Sequence, residues 1–302
     1  MSLSVGIVGL PNSGKSTLFN ALLKRQVAQV GEYPYTTIEP NVGVVEVPDE
    51  RLEKISASTG IEKIVPAAVK FVDIAGLIKG ASKGEGLGNQ FLGHIREVDA
   101  ILHVVRLFEN HNVSHIGGKI DPKEDIEVVD LELELGGIKK PTIYVLNVSE
   151  NQLNDLPNNL KTLSPYNPVL ICAKLEAELS ELSEAEQKEY LAELGVDPST
   201  GSGLDKVIKE AYGFLDLITF FTVAHDKQVQ AWPLRRGETA LSASSLVHAD
   251  FSKNFIKAEV IGWQELVKAS GFQKAKDDGL VRLEGKGYIV ADGDVVLFKA
   301  GA

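Results

Sequence analysis

The chain has 302 residues, 44% of them apolar and 24% charged, which is ordinary for a globular protein and long enough for two domains with their own cores. The 31 Lys and Arg against 42 Asp and Glu leave a formal charge of −11, arguing against a generic nucleic-acid binder, and the single cysteine, Cys172, rules out an internal disulfide and fits a reducing cytoplasm. The opening MSLSVGIVGL has no basic leader and no run reaches the length of a membrane span, so neither export nor a membrane is expected.

Apolar, β-rich runs at 3–8, 42–47, 69–74, 100–105, 142–146 and 169–172 alternate with helix-like segments at 16–24, 89–98 and 204–217. Strands alternating with helices predict an α/β domain whose mostly parallel sheet is covered on both faces. The acidic stretch 175–194 reads as one or two amphipathic helices with a solvated face. Past residue 217 the pattern changes. Residues 219–223 and 229–233 read as a hairpin across AHDKQ, 242–255 as a helix, and 257–261, 287–290 and 295–299 as short strands. The expected division is therefore 1–217 for the first domain and 218–302 for a small α+β domain. Charge divides at the same place: 20 basic and 32 acidic side chains up to residue 217, 11 and 10 beyond it. The nearly neutral C-terminal part can meet RNA more easily than the acidic remainder, although a plain difference in composition explains the counts as well.

Within the first domain, Gly9-Leu-Pro-Asn-Ser-Gly14-Lys15-Ser16 satisfies G-x-x-x-x-G-K-[ST] in full, between a strand candidate and a helix candidate. In that setting successive backbone N–H groups and the positive helix end receive phosphate oxygens. Gly14 allows close approach, Lys15 brings a mobile positive charge, and Ser16 offers a hydroxyl oxygen to Mg2+. Asp73-Ile-Ala-Gly76 follows another strand candidate. Its carboxylate is placed to hold Mg2+ through water, and the Gly76 N–H to meet a γ-phosphate. Between the two, YPYTTIEPNVG holds Thr36 and Thr37, either of which could complete the metal's coordination and sense the γ-phosphate.

These three elements in this order resemble translation-factor-type P-loop NTPases, and the wording is closer still to the Obg-like ATPases, the YchF family. GLPNSGKSTLFNAL, YPYTTIEPNVGVV, DIAGLIKGASKGEGLGNQFL, FENHNVSHIGGKIDPKEDIEVV, NVSE, HADFSKNFIKAEVI and GKGYIVADGDVVLF all carry the likeness, which spans nearly the whole chain. The resemblance implies a Ras-like NTPase domain, a helical coiled-coil insertion and a C-terminal TGS domain of β-grasp type that contacts RNA or the ribosome. It implies phosphate binding by Asn12, Ser13, Gly14, Lys15, Ser16 and Thr17, and Mg2+ binding by Ser16 and Thr37. Two departures stand out. Ser13 replaces the valine of the usual PNVGKS, and the insertion that should follow DIEVVDLELEL is absent, leaving Gly136-Gly137. An engineered deletion, a natural loss or a stretch left out of the numbering each explains the gap; the double glycine favours an engineered linker, with a glycine helix cap and a short loop as the plain alternative.

The base and the water are read elsewhere. Guanine-specific relatives use N-K-x-D, whose aspartate accepts two bonds from guanine, whereas the matching strand end here is Asn147-Val148-Ser149-Glu150. Losing that acceptor weakens the preference for guanine, and the resemblance implies ATP, with base contacts around Asn147, Val148 and Glu150. Cys172-Ala-Lys174 resembles the S-A-K loop, so Lys174 is a candidate to stack on the base. Leu77 occupies the position of the water-orienting glutamine and can neither donate nor accept, so unaided hydrolysis should be slow. His115, on a loop, is the family's candidate replacement, with an ordinary loop histidine equally open; Asn12 stands where cation-dependent relatives hold K+. The expected function is a slow, Mg2+-dependent regulatory ATPase acting in the cytoplasm with ATP and the ribosome or ribosomal RNA, without a membrane or specific DNA. An Obg-type GTP switch and a nucleotide-gated interaction protein are the alternatives. Candidate RNA contacts are Lys227, Arg235, Arg236, Lys253 and Lys257.

Overall fold

The computed structural model describes residues 3–24, 41–74, 87–109, 119–153, 158–195, 202–224 and 227–301. They form two compact units, one of Met1–Glu46 and Val69–Leu215, the other of Val47–Ala68 and Asp216–Ala302. Along the chain the first elements are β1 (Ser4–Val8), α1 (Lys15–Lys24), β2 (Val42–Glu46), α2 (Glu50–Thr59), β3 (Ile64–Val65) and β4 (Ala68–Asp73). There follow α3 (Leu87–Glu97), β5 (Ala100–Arg106), α4 (Pro122–Leu135), β6 (Thr142–Asn147), β7 (Val169–Ile171), α5 (Ala173–Leu179), α6 (Glu184–Glu193) and α7 (Gly203–Phe214).

The first unit is built on a sheet of order β2-β4-β1-β5-β6-β7, in which β1 pairs in parallel with β4 and β5, β5 with β6, and β6 with β7. β1 and β5 are buried along their whole length, as central strands of a doubly covered sheet must be. Val8, Ile74 and Ile101 pack with Phe91, Leu92 and Ile95 of α3 and with Val129 and Leu133 of α4 to form one core. The neighbours of β1 leave in opposite directions, β4 on one side and β5 on the other. The carboxyl end of β1 is therefore a topological switch point, where α/β sheets hold their ligands.

The second unit continues with β8 (Leu217–Ala224), β9 (Gln228–Arg235), α8 (Ala240–Val247), α9 (Ala249–Lys253), β10 (Phe255–Gly262), α10 (Trp263–Ala269), α11 (Phe272–Asp277), β11 (Arg282–Glu284) and β12 (Asp294–Ala300). Its sheet runs β11-β10-β12-β8-β9-β3. β8 and β9 form the expected hairpin, and β12 returns parallel to β8. Phe220, Leu234, Ala243, Val260, Val296 and Phe298 are the core between this sheet and α8.

Four details differ from the sequence reading. The predicted helix at 242–255 is two helices, because His248 is extended (φ −160, ψ 135) and its Nδ1 caps α9 by accepting from the Asp250 N–H at 3.2 Å. Residues 287–290 make one bridge, Ile289 to Thr239, rather than a strand. Val47–Ala68 belongs to the second unit and not to the first domain: β3 adds to the edge of β9, α2 packs on α10, and Leu52, Ile55 and Ile61 are buried there. At Gly136-Gly137 the chain makes a built helix stop. The Gly137 N–H donates to the Glu134 carbonyl at 2.9 Å, and the Ile138 N–H to the Leu133 carbonyl at 2.9 Å, while Ile138 packs into the core beside Leu133. Gly137 has φ +68, and a Cβ on Gly136 would lie 2.8 Å from Leu92. Both glycines answer local geometry, as a helix cap requires.

Candidate nucleotide site

The loop that leaves β1 turns on residues with left-handed or glycine-only backbone: Gly9 at φ 152, Asn12 at φ 65 and Gly14 at φ 96. A Cβ on Gly9 would sit 2.3 Å from the Val104 carbonyl oxygen, and one on Gly14 2.1 Å from the Asn147 amide nitrogen, so neither position admits a side chain. The turn leads into the first residues of α1, whose free N–H groups and dipole favour an anion.

Lys15 opens α1 and folds back over the loop, donating from Nζ to the Leu10 carbonyl at 2.8 Å with 7% of its surface exposed. Burial lowers its pKa from 10.5 to about 8, and the nearby Asp73 carboxylate opposes that shift. Asp73 ends β4; burial raises its pKa and the Lys15 charge pulls the other way. Its N–H donates to the Asn41 carbonyl at 2.9 Å, tying the end of β4 to the start of β2. Ser16 and Thr17 are exposed on the first turn of α1, while Ser13 is buried, and its hydroxyl has no partner among the described residues. The exposed Ser16 hydroxyl and the half-buried Asp73 carboxylate are hard oxygen donors, a chemistry that fits Mg2+. Among the described residues no group of three or more His, Cys, Asp or Glu is placed to hold a metal.

Asn147, at the end of β6 and 4% exposed, joins two loops: Nδ2 donates to the Ser13 carbonyl at 3.0 Å and Oδ1 accepts from the Ala173 N–H at 3.0 Å. Its polar atoms brace the phosphate loop against the start of α5, a role the sequence reading, which gave it the base, did not assign. Val148 is 2% exposed in a cluster with Leu107, Cys172, Leu175, Leu179 and Leu191, and its N–H donates to the Ile171 carbonyl. Its side chain therefore faces the core and not a base. Glu150 and Lys174 do come together, Nζ to Oε1 at 3.0 Å, and this partner raises the Lys174 pKa. Gln152 steadies the same turn by accepting from the Ser149 N–H at 2.8 Å and hydroxyl at 3.0 Å, a contact with no signal in the motif. Thr36, Thr37, Gly76, Leu77 and His115 lie outside the described residues. In the second unit Arg236 pairs with Asp216 at 3.2 Å and Lys253 with Asp250 at 3.7 Å, while Lys227 is exposed.

A mostly parallel sheet with a phosphate loop at its switch point, a lysine folded over that loop and an aspartate ending the adjacent strand define a P-loop nucleotide hydrolase. A family model described as a 50S ribosome-binding GTPase matches residues 4–148, and the YchF-GTPase_C model, described as a protein of unknown function, matches 217–301. The ribosome-binding ATPase YchF of Bacillus subtilis is 40% identical over 99% of both chains, and that of Mycoplasma genitalium 41% identical over 98% of this chain and 99% of its own. The Schizosaccharomyces pombe YchF GTPase superposes with a TM-score of 0.83 at 29% identity, covering 99% of this chain and 98% of that one. The chain belongs to the YchF family. The alignment with the Bacillus protein runs over 368 positions against 302 residues here, so that relative carries several dozen residues without a counterpart in this chain.

Proposed function

We propose that this chain binds and slowly hydrolyses ATP with Mg2+ and that the bound nucleotide governs its association with the ribosome in the cytoplasm. The observation that carries the choice of base is the turn at Asn147–Glu150. The asparagine is engaged in bracing two loops, Val148 is in the core, and the Glu150 carboxylate already has the Lys174 ammonium as partner. None of the three is set out as the free aspartate that reads guanine, and backbone groups are left to read the adenine amine. The ribosome enters through the relatives named ribosome-binding ATPases and through the neutral charge of the C-terminal part.

In the proposed reaction the loop N–H groups hold the β- and γ-phosphates, and Lys15 exchanges the Leu10 carbonyl for phosphate oxygen, which gives an ammonium that burial disfavours an anionic partner. Ser16, Thr37 and Asp73 are the residues to hold Mg2+, which when bound neutralises charge developing on the phosphoryl oxygens. Gly76 is assigned a γ-phosphate contact, Asn12 a share in a K+ site, and His115 the positioning of the attacking water in place of Leu77. Titration of the purified chain with fluorescent ATP and GTP analogues in Mg2+ tests the reading. Tighter binding of ATP is expected; GTP bound more tightly by tenfold or so would make the chain a GTP switch of the Obg type.

A further inference from the structure

We infer that Val47–Ala68 is the element through which the nucleotide site controls the second unit, an inference that rests on the ATP-switch reading above. β2 and β4 form a short antiparallel ribbon: Asn41 faces Asp73 at one end, N–H to carbonyl at 2.9 Å, and Val47 faces Ala67 at the other, at 2.7 Å. One end of this ribbon carries the site. Asp73, half-buried beside Lys15, terminates β4. The other end opens into an excursion that is structurally part of the second unit.

The excursion is firmly held there. β3 lies parallel on β9, with Ile64 opposite Val229 and Val65 opposite Gln230. Arg51 grips Asp49 and, through Nη1, Asp292 at 2.7 Å, and its guanidinium stands 5.2 Å from the Phe221 ring centroid. Asp292 in turn accepts from the Thr219 N–H at 2.9 Å, fixing β8 to the same clamp. Leu52 and Ile55 are buried and α2 lies against α10. A ribbon five residues long spans roughly 16 Å and is stiff on that scale. A shift at Asn41 and Asp73 when the γ-phosphate arrives or leaves is therefore delivered to β9, α10 and the Arg51 clamp. By linkage, whatever binds the second unit in one of its states changes nucleotide affinity by the same factor.

Hydrogen exchange on the full chain, read by mass spectrometry with no nucleotide, ADP or a non-hydrolysable ATP analogue in Mg2+, tests this. The analogue should change exchange at 12–17 and, by about threefold or more relative to ADP, at 47–68, β9 and α10. A Gly-Ser-Gly insertion between Glu46 and Val47 should leave the first response in place and abolish the second; Arg51→Met should weaken the second alone. A response confined to 12–17 and the ribbon, or one that survives the insertion undiminished, overturns the coupling. If only a GTP analogue protects 12–17, the ATP reading fails and the coupling is judged by the same outcomes with GTP. If neither nucleotide protects 12–17, both fall.

Discussion

Two buried polar side chains, one under the phosphate loop and one within it, have consequences that can be measured one residue at a time. His103 lies on β5 opposite Val8, is fully buried, and has its ring 5.6 Å from that of Tyr144, while neither nitrogen has a partner among the described residues. Burial, and after it the Lys15 charge, push its pKa from 6.5 down to about 3. The folded protein therefore holds this imidazole neutral, whereas the unfolded chain takes up a proton below pH 6.5, so stability falls as pH drops from about 6.5 towards 3 and is untouched above it. His103→Phe keeps an aromatic ring against Tyr144 and removes the titration. Between about pH 7.5 and about pH 5.5 it should lose less stability than the parent by ~1 kcal/mol in urea unfolding, and equal losses would show that His103 does not titrate on unfolding. Ser13, 2% exposed, buries a hydroxyl at the position where the family pattern has valine. Ser13→Ala should raise the melting temperature, by ~1 kcal/mol in stability, and leave nucleotide affinity unchanged because the loop binds through its backbone. A lower melting temperature would mean that the hydroxyl is satisfied after all.

At the scale of elements, the end of α4 is a stop built from local geometry. The helix is capped by Asp121, whose side chain accepts from the Glu124 N–H, and closed by Gly136-Gly137 with Ile138 folded back onto Leu133. Gly137→Ala meets no atom but forces a Cβ into φ +68, so it should cost ~1 kcal/mol, and Gly137→Asn distinctly less because asparagine tolerates that conformation. Chemical denaturation of the pair checks this; an alanine variant as stable as the parent would mean that the stop is not under backbone constraint. Helix ends of this kind were legible: the double glycine marked the stop of α4, and the Ser183 and Glu186 capping box now explains why the acidic stretch is two helices. The main strands of the first sheet were legible too, because buried strands read as apolar runs. The brace made by Asn147 was not, since it joins residues 134 apart through one backbone carbonyl, and a motif reports neighbours in sequence rather than in space.

At the scale of the molecule, the chain passes from one unit to the other at Leu215 and Asp216, close to a change of pattern in the sequence, whereas the discontinuity of the second unit has no such signal. α2 is mostly polar on its outer side, β3 is two residues long, and the flanking runs that became β2 and β4 look consecutive. Only pairing across some 165 residues, Ile64 with Val229, shows where the segment belongs. The C-terminal part is therefore only one piece of the second unit. Residues 216–302 alone would expose the edge of β9, strip Asp292 of Arg51, and uncover the apolar surface that Leu52, Ile55, Ile61 and Val65 close. An unpaired edge beside exposed core side chains invites association. The fragment 216–302 should accordingly melt without a cooperative transition and sediment as aggregates. A chain in which Val47–Ala68 is joined by a flexible linker ahead of Asp216 should unfold cooperatively as a monomer. Indistinguishable cooperative melts for the two would show that the second unit does not need the segment.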